Sequence, residues 1–302
     1  MQALKYRYPV TSLDRMCRVF GISRQAYYKH LQGKVKMVNQ NYMVVQLVGF
    51  VRQKHPRMGT RKIYHLIKPD LEEQGIKIGR DALFSLLADA GLLIRKRKRA
   101  HITTNSNHWF RKYPNLVKGF DPTAPNQLWV SDITYIRTAQ GFLYLFLLTD
   151  AYSKRILGYR LAKNMDSIHA VNSLQDAIKN SCQPLNGLIH HSDRGLQYCS
   201  HSYVNTLKQH QIAISMTESG DPLDNAIAER VNGILKEEYI NTVVEKTGTI
   251  TNGSLDDIIF KYNNQRPHLS CDMFTPTQVH LIKGLTIRKR WKNYYKKEIN
   301  LH

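Results

Sequence analysis

The sequence predicts an α/β chain: a mixed sheet with flanking helices, preceded by an all-helical, strongly basic region. Charge divides it into three parts. Residues 1–120 carry a net +18, residues 121–282 a net −3 and residues 283–302 a net +6, within a total of +21. Apolar periodicity is helical before residue 100 and strand-like from residue 128. Three closely connected strands come first and strand–helix alternation follows, the order of a mixed sheet rather than a purely antiparallel one.

Residues 11–31 read as two short helices around Gly21, with Thr11 or Ser12 capping the first and Ser23 the second. Leu13, Met16, Cys17 and Phe20 give the first helix an apolar face, and Arg24, Gln25 and Tyr28 lie on the second. This is a helix-turn-helix-like segment, assigned to residues 1–35. A second helical, helix-turn-helix domain is assigned to residues 36–100. There GTRKIYHLIKPDLEEQ and RDALFSLLADAGLLI flank the turn GIKIG, with Pro69 kinking or breaking the first helix. The second helix opens on Arg80 and runs into the cations of residues 95–99. Arg24, Arg61, Lys62, Arg80, Arg95, Arg97 and Arg99 are the candidate DNA contacts of this half, because each cation placed on a phosphate releases a condensed counterion.

Residues 101–127 read as a polar linker containing Pro114, Pro122 and Pro125. The α/β domain is assigned to 128–282. LWVSDITYIR, FLYLFLLTD and KRILGYRL form a meander; SIHAVNSLQDAIKN (167–180) is a helix and GLIHHSD (187–193) a strand. A helix near 201–210, the strand IAISMT (212–217) and a long helix over 222–240 follow. Residues 283–302 form a basic tail.

At 302 residues there is room for two domains. No apolar run approaches eighteen residues, and MQALKYRYPV lacks a signal peptide's apolar stretch, so a cytosolic protein without membrane contact is expected. Cys17, Cys182, Cys199 and Cys271 are too scattered for a zinc finger or disulfide framework and read as reduced thiols.

Three carboxylates stand out. Asp132 sits inside a strand built for burial, where an ionised group needs a compensating cation or donors. Asp193 ends another apolar strand, a position that also suits a turn former. Glu229 lies on the 222–240 helix, whose apolar stripe is Leu223, Ile227, Val231, Ile234 and Leu235. It faces away from that stripe, in a polar row with Asn225, Asn232 and Lys236 that also reads as a solvated helix face.

The set has sixty residues between the aspartates and thirty-five between Asp193 and Glu229, and it resembles the Asp-Asp-Glu signature of the retroviral-integrase superfamily. Trp129-Val130-Ser131-Asp132-Ile133-Thr134-Tyr135 is similar to the first block and His191-Ser192-Asp193-Arg194-Gly195 to the second. Asn225-Ala226 with Glu229-Arg230 and Lys236 resembles the third. Tyr262-Asn263-Asn264-Gln265-Arg266-Pro267-His268, then Thr275-Pro276, resembles the closing blocks. Several blocks in order narrow the likeness to insertion-sequence transposases of the OrfB type.

The resemblance implies an RNase H-like core in a bacterial, nucleoid-associated enzyme that cleaves and joins DNA strands. Asp132, Asp193 and Glu229 would be catalytic and would ligate two Mg²⁺ or Mn²⁺ ions, about 3.5–4 Å apart in sites of this kind. Lys236 would contact DNA near the cut, with Arg230 and Arg194 as phosphate contacts and His191, Asn225 and His268 as accessory groups. The partners implied are double-stranded DNA (element ends and target), further copies of the chain on DNA and the product of an upstream frame. No sustained heptad is read ahead of the core, so multimerisation is expected to be supplied partly elsewhere. The rival readings are a non-catalytic DNA-binding regulator of the element and a nuclease that hydrolyses without joining.

Overall fold

The computed structural model describes residues 2–95, 109–181, 185–218, 225–282, 284–285 and 287. Cys182, Leu223, Arg97, Arg99 and most of the basic tail lie outside the described residues.

The described residues of Met1–Val51 and Ile67–Leu93 form one compact unit, and those of Arg52–Leu66 and Ile94–His302 another. The front of the chain is helical, with α1 Gln2–Arg7, α2 Leu13–Val19, α3 Arg24–Lys54, α4 Thr60–Glu73 and α5 Arg80–Asp89. Ser12 caps α2 through the Arg15 amide, and the Ser23 hydroxyl accepts from the Ala26 amide at 3.0 Å, both as the sequence suggests. Gly21 turns between them at φ 64°, where a Cβ would be strained. Two expectations need correction. The helix expected to stop near residue 31 continues for 31 residues as α3, through the assigned boundary at 35/36, because no Pro intervenes. The α4 helix runs unbroken through Pro69, forgoing one backbone hydrogen bond.

Five strands form one sheet: β1 Leu128–Thr138, β2 Gly141–Asp150, β3 Ile156–Ala162, β4 Ile189–Ser192 and β5 Ala213–Met216. Their order is β3-β2-β1-β4-β5, with β1, β2 and β3 antiparallel and β1, β4 and β5 parallel. This is the RNase H-like arrangement, and every expected strand is present. Helix α6 Ser167–Asn180 matches its expected span, and α7 Leu196–Cys199 and α8 His201–Gln209 follow β4. Trp129, Ile133, Phe146 and Leu148 pack with α6 and α8 residues on one face. A Cβ at Gly158 would overlap the Ser173 carbonyl, so glycine lets α6 press directly on β3.

The other face carries α9 Ala226–Leu235, α10 Asn241–Thr247 and α11 Asn252–Asn264, packed on Ile136, Leu145 and Leu147. The expected 222–240 helix is two pieces in its described part: α9, then a wider π-turn over Lys236–Ile240 that leads into α10. Helix α12 Pro276–Leu281 begins with a Thr275–Gln278 capping box. The described part of the expected linker has neither helix nor strand, yet Phe110, Tyr113 and Val117 pack on the core and the Pro114 carbonyl accepts from the Met216 amide. Cys17, Cys199 and Cys271 are buried free thiols. No described helix is long and apolar enough to cross a membrane.

Candidate active site

Strand alternation sends Leu128, Val130 and Asp132 to the α9 side of the sheet, where Val130 packs with Ala228. Strand β4 runs parallel with Val130 opposite His191. Asp193 directly follows β4, and its negative charge is felt at Asp132. The Asp193 Oδ1 accepts the Gly195 amide at 3.0 Å, and a Cβ at 195 would stand 2.9 Å from that same oxygen. Glycine is therefore part of the turn that holds Asp193. Glu229 is in the first turn of α9, where the helix dipole favours a negative charge.

Three of the four residues in the polar row predicted on this helix are held on β1. Asn225 Nδ2 donates to the Ser131 carbonyl at 3.0 Å, Asn232 Nδ2 to Asp132 Oδ2 at 2.7 Å and Lys236 Nζ to Thr134 Oγ1 at 3.0 Å. Asn225 and Asn232 are buried, whereas Glu229, in the same row, is exposed. Residues i, i+7 and i+11 of one helical row thus track residues 131, 132 and 134 of one strand.

The carboxylates sense one another. Burial pushes the Asp132 carboxyl up to about 7, and the negative charges of Asp193 and Glu229 push the same way. The Asn232 side chain and the Ile133 amide, which donates to Asp132 Oδ1 at 2.9 Å, only partly offset this. Burial raises Glu229 as well. It lowers the Lys236 ammonium, against the pull of Asp132. Among the described residues no three acidic, His or Cys side chains are gathered into a ready-made cation cage. The Asn225 and Asn232 amide oxygens are buried here without a protein donor, adding to the surplus of acceptors over donors.

The other expected residues divide. Arg230 is exposed beside Glu229, and Arg194 is half-buried after Asp193. Arg24 and Arg61 open α3 and α4 in solvent, Arg80 is exposed with its Nε on Asp81 at 2.8 Å, and Arg95 is exposed. Lys62 departs from its expected place on DNA. It is buried with its Nζ 2.9 Å from Glu238, in a cluster that Arg266 completes at 2.7–2.8 Å. His191 is buried with Nδ1 2.8 Å from Ser215 Oγ. His268 sits beside Ser270; burial and then Arg266 hold it well below the ordinary histidine range, so it belongs to the Arg266 cluster rather than to the carboxylates.

The sequence reading passed over three features. Asn232 was visible in the polar row, but nothing in the sequence paired it with Asp132. Glu238 and Arg266 meet across 28 residues with no local signal. Beneath β1, His190 Nε2 lies 2.8 Å from both Ser131 Oγ and Tyr203 Oη, and burial brings its pKa down to about 3. A neutral imidazole therefore braces the back of the Asp132 strand.

The chain is similar to several known proteins. Two models of the Integrase core domain match residues 122–222 and 210–276. A Shigella sonnei protein, the insertion element IS600 uncharacterized 31 kDa protein, is 36% identical over 86% of this chain and 96% of its own length. The transposase InsF for insertion sequence IS3A of Escherichia coli K12 is 30% identical over 88% and 93%. Among solved structures, the HTLV-2 integrase catalytic core domain aligns with 52% of this chain and 97% of its own at 18% identity and a TM-score of 0.43.

Proposed function

The chain belongs to the insertion-sequence transposases of the retroviral-integrase superfamily, and from that membership we propose that Asp132, Asp193 and Glu229 are its catalytic carboxylates in DNA strand cleavage and strand transfer. One observation carries the assignment: acids 61 and 97 residues away in sequence both raise the Asp132 carboxyl through space.

An all-oxygen, multiply acidic donor set suits hard divalent cations, Mg²⁺ or Mn²⁺, and the crowding at Asp132 is what such charge relieves. A pair of these ions would activate the attacking water or 3′-hydroxyl and offset charge on the leaving oxygen. The chain's own residues would set the geometry. Asn232 and the Ile133 amide fix the two oxygens of Asp132, the Gly195 amide fixes Asp193, and the start of α9 presents Glu229. Lys236 lies along the same row and would exchange Thr134 for a DNA phosphate beside the cut. The basic residues of 36–100 and 283–302, with Arg194 and Arg230, would hold element ends and target DNA. Oligomers on DNA, with or without the product of an upstream frame, would bring the two ends together.

The test is nicking and joining of DNA carrying the element's ends, with Mg²⁺ or Mn²⁺. Asp132→Asn, Asp193→Asn and Glu229→Gln should each lower nicking by about a thousandfold or more, roughly 4 kcal/mol of barrier, while leaving DNA affinity in place. Normal cutting by any of these variants rejects the triad. Nicked products that never join, even when a 3′-hydroxyl end is supplied, reduce the activity to that of a nuclease.

A further inference from the structure

Residues 109–117 belong to the stretch that reads as a linker, yet the sheet fixes their course. Ser192 pairs with Met216 across β4 and β5, and the Met216 amide donates to the Pro114 carbonyl at 3.3 Å. The Leu116 amide donates to Ser215 Oγ at 2.9 Å. Two strand widths, roughly 10 Å, therefore separate Pro114 from Ser192, the residue before Asp193. From Leu116 back to Pro114 the chain follows β5 toward its last residue. Tyr113 to Trp109 then continue toward the end of the sheet at which Asp193 stands. There the Phe110 ring meets the ring of His201, the first residue of α8, at 5.7 Å. The charges agree. Burial holds the Cys199 thiol up at about 11; Asp193 pushes the same way, and Lys112 and Arg194 pull against it. Lys112 thus shares a neighbourhood with Asp193 and Arg194.

Trp109-Phe110-Arg111-Lys112-Tyr113 divides its side chains. Phe110 and Tyr113 pack on the core of the sheet. Arg111 and Lys112 are exposed, the Arg111 guanidinium 5.3 Å from the Tyr113 ring centre. Trp109 lies on Phe110 with ring centres 4.5 Å apart and planes within 24°, and it is 83% exposed. The indole is therefore supported on one face by a ring that the core anchors, and the opposite face is left to solvent. A lone exposed apolar side chain needs no explanation. A stacked one, flanked by two cations and close to the carboxylates, forms a surface with a definite chemistry.

Aromatic faces take up nucleobases by stacking, and neighbouring cations hold the phosphates. Inside a duplex each base is covered on both faces, so an indole selects a base that has lost a neighbour. Strand cleavage at the carboxylates makes such a base, the last one at the new 3′ end. An acidic peptide would engage Arg111 and Lys112 but gain little from the indole.

We propose that Trp109 is a stacking platform for the unpaired base at the 3′ end of the DNA strand held at the carboxylates, with Arg111 and Lys112 on its phosphates. The proposal rests on the transposase reading of that site. Its test is run on the full chain in EDTA, where binding requires neither metal nor cutting, so the platform and the triad can fail separately. The probes are a duplex with a short unpaired 3′ extension ending in 2-aminopurine and the matching blunt duplex. The wild type should quench the 2-aminopurine and bind the extended duplex more tightly than the blunt one. Trp109→Ala should lose the quench and about tenfold in affinity for the extended duplex, while blunt-duplex affinity stays within about twofold. Trp109→Phe should keep most of both, because a smaller ring still stacks. Trp109→Leu, apolar but without a ring, should behave as the alanine variant does and decides should that variant misfold. The proposal is overturned if the wild type leaves the 2-aminopurine unquenched, or if the ringless variants bind the extended duplex as the wild type does. It is overturned equally if those variants weaken both duplexes alike, or if Trp109→Phe is as impaired as they are.

Discussion

Glu229 and Glu238 lie nine residues apart on one helical run, and their surroundings drive them in opposite directions. Glu229 is exposed, on the same side as two other acids, and burial edges its carboxyl upward. Burial alone would raise Glu238 too, but hydrogen bonds and charge from Arg266 and Lys62 bring it down to about 2. At one end of the run Glu229 adds to the negative charge that raises Asp132, and at the other Glu238 is neutralised inside the protein. Side-chain type does not separate these two acids; the presence of an internal cation beside Glu238 does.

The largest effect that would break this contrast concerns the balanced end. Arg266→Met leaves Glu238 buried with only Lys62, and loss of one partner of a buried pair costs about 3–5 kcal/mol. Because the Glu238 pKa in the folded chain lies below its ordinary 4.5, its contribution is full above about 4.5 and fades as pH falls toward 2. Thermal melts across that window should show a steeper acid loss in the wild type than in Arg266→Met. A variant as stable as the wild type would mean that the cluster balances nothing.

A smaller effect belongs to the unbalanced end. Mg²⁺ or Mn²⁺ at a hundredfold excess over its Kd should stabilise the wild type by about 2.7 kcal/mol. Equal stabilisation of a chain lacking Asp132, Asp193 and Glu229 would place the ions elsewhere.

The smallest effects sharpen the contrast. Asp132 titrates near 7 instead of 3.8, so its ionisation costs folded-state stability. That cost is absent below about 3.8, grows through the interval and is complete above about 7. Metal-free Asp132→Asn should therefore be more stable by about 1–2 kcal/mol at alkaline pH and equal to the wild type in acid. A flipped Asn232 amide, whose oxygen has no protein donor, can accept from the new side chain. Glu229→Gln, at an exposed position, should stay within about 0.5 kcal/mol. A loss of stability on either substitution at alkaline pH would show that these acids help to hold the fold.

Much of this was legible in the sequence where the determinants are local. The α6 helix matches its expected span because the apolar spacing of Ala170, Val171, Leu174 and Ala177 acts within one segment. Asp132 stood out because a carboxylate amid Trp129, Val130 and Ile133 is costly wherever the strand packs. The helical wheel found the row containing Asn225, Glu229, Asn232 and Lys236. It could not tell that β1 lay beneath, since sheet register is a long-range property. Lys62 was misjudged for the same reason: its partner Glu238 is 176 residues away, and a basic neighbourhood made DNA the nearer explanation.

The π-turn at Lys236–Ile240 makes chain length itself a constraint. An α-helix advances about 100° per residue, and a turn that takes in one more residue puts everything after it out of step with everything before. Asn225, Asn232 and Lys236 address β1 while Glu238 addresses Arg266, and the wider turn sets the angle between those two headings. Deleting a single residue here would return the helix to regular pitch and swing one group off its target. The number of residues in this turn is thus a constraint beside the identities of Lys236 and Glu238.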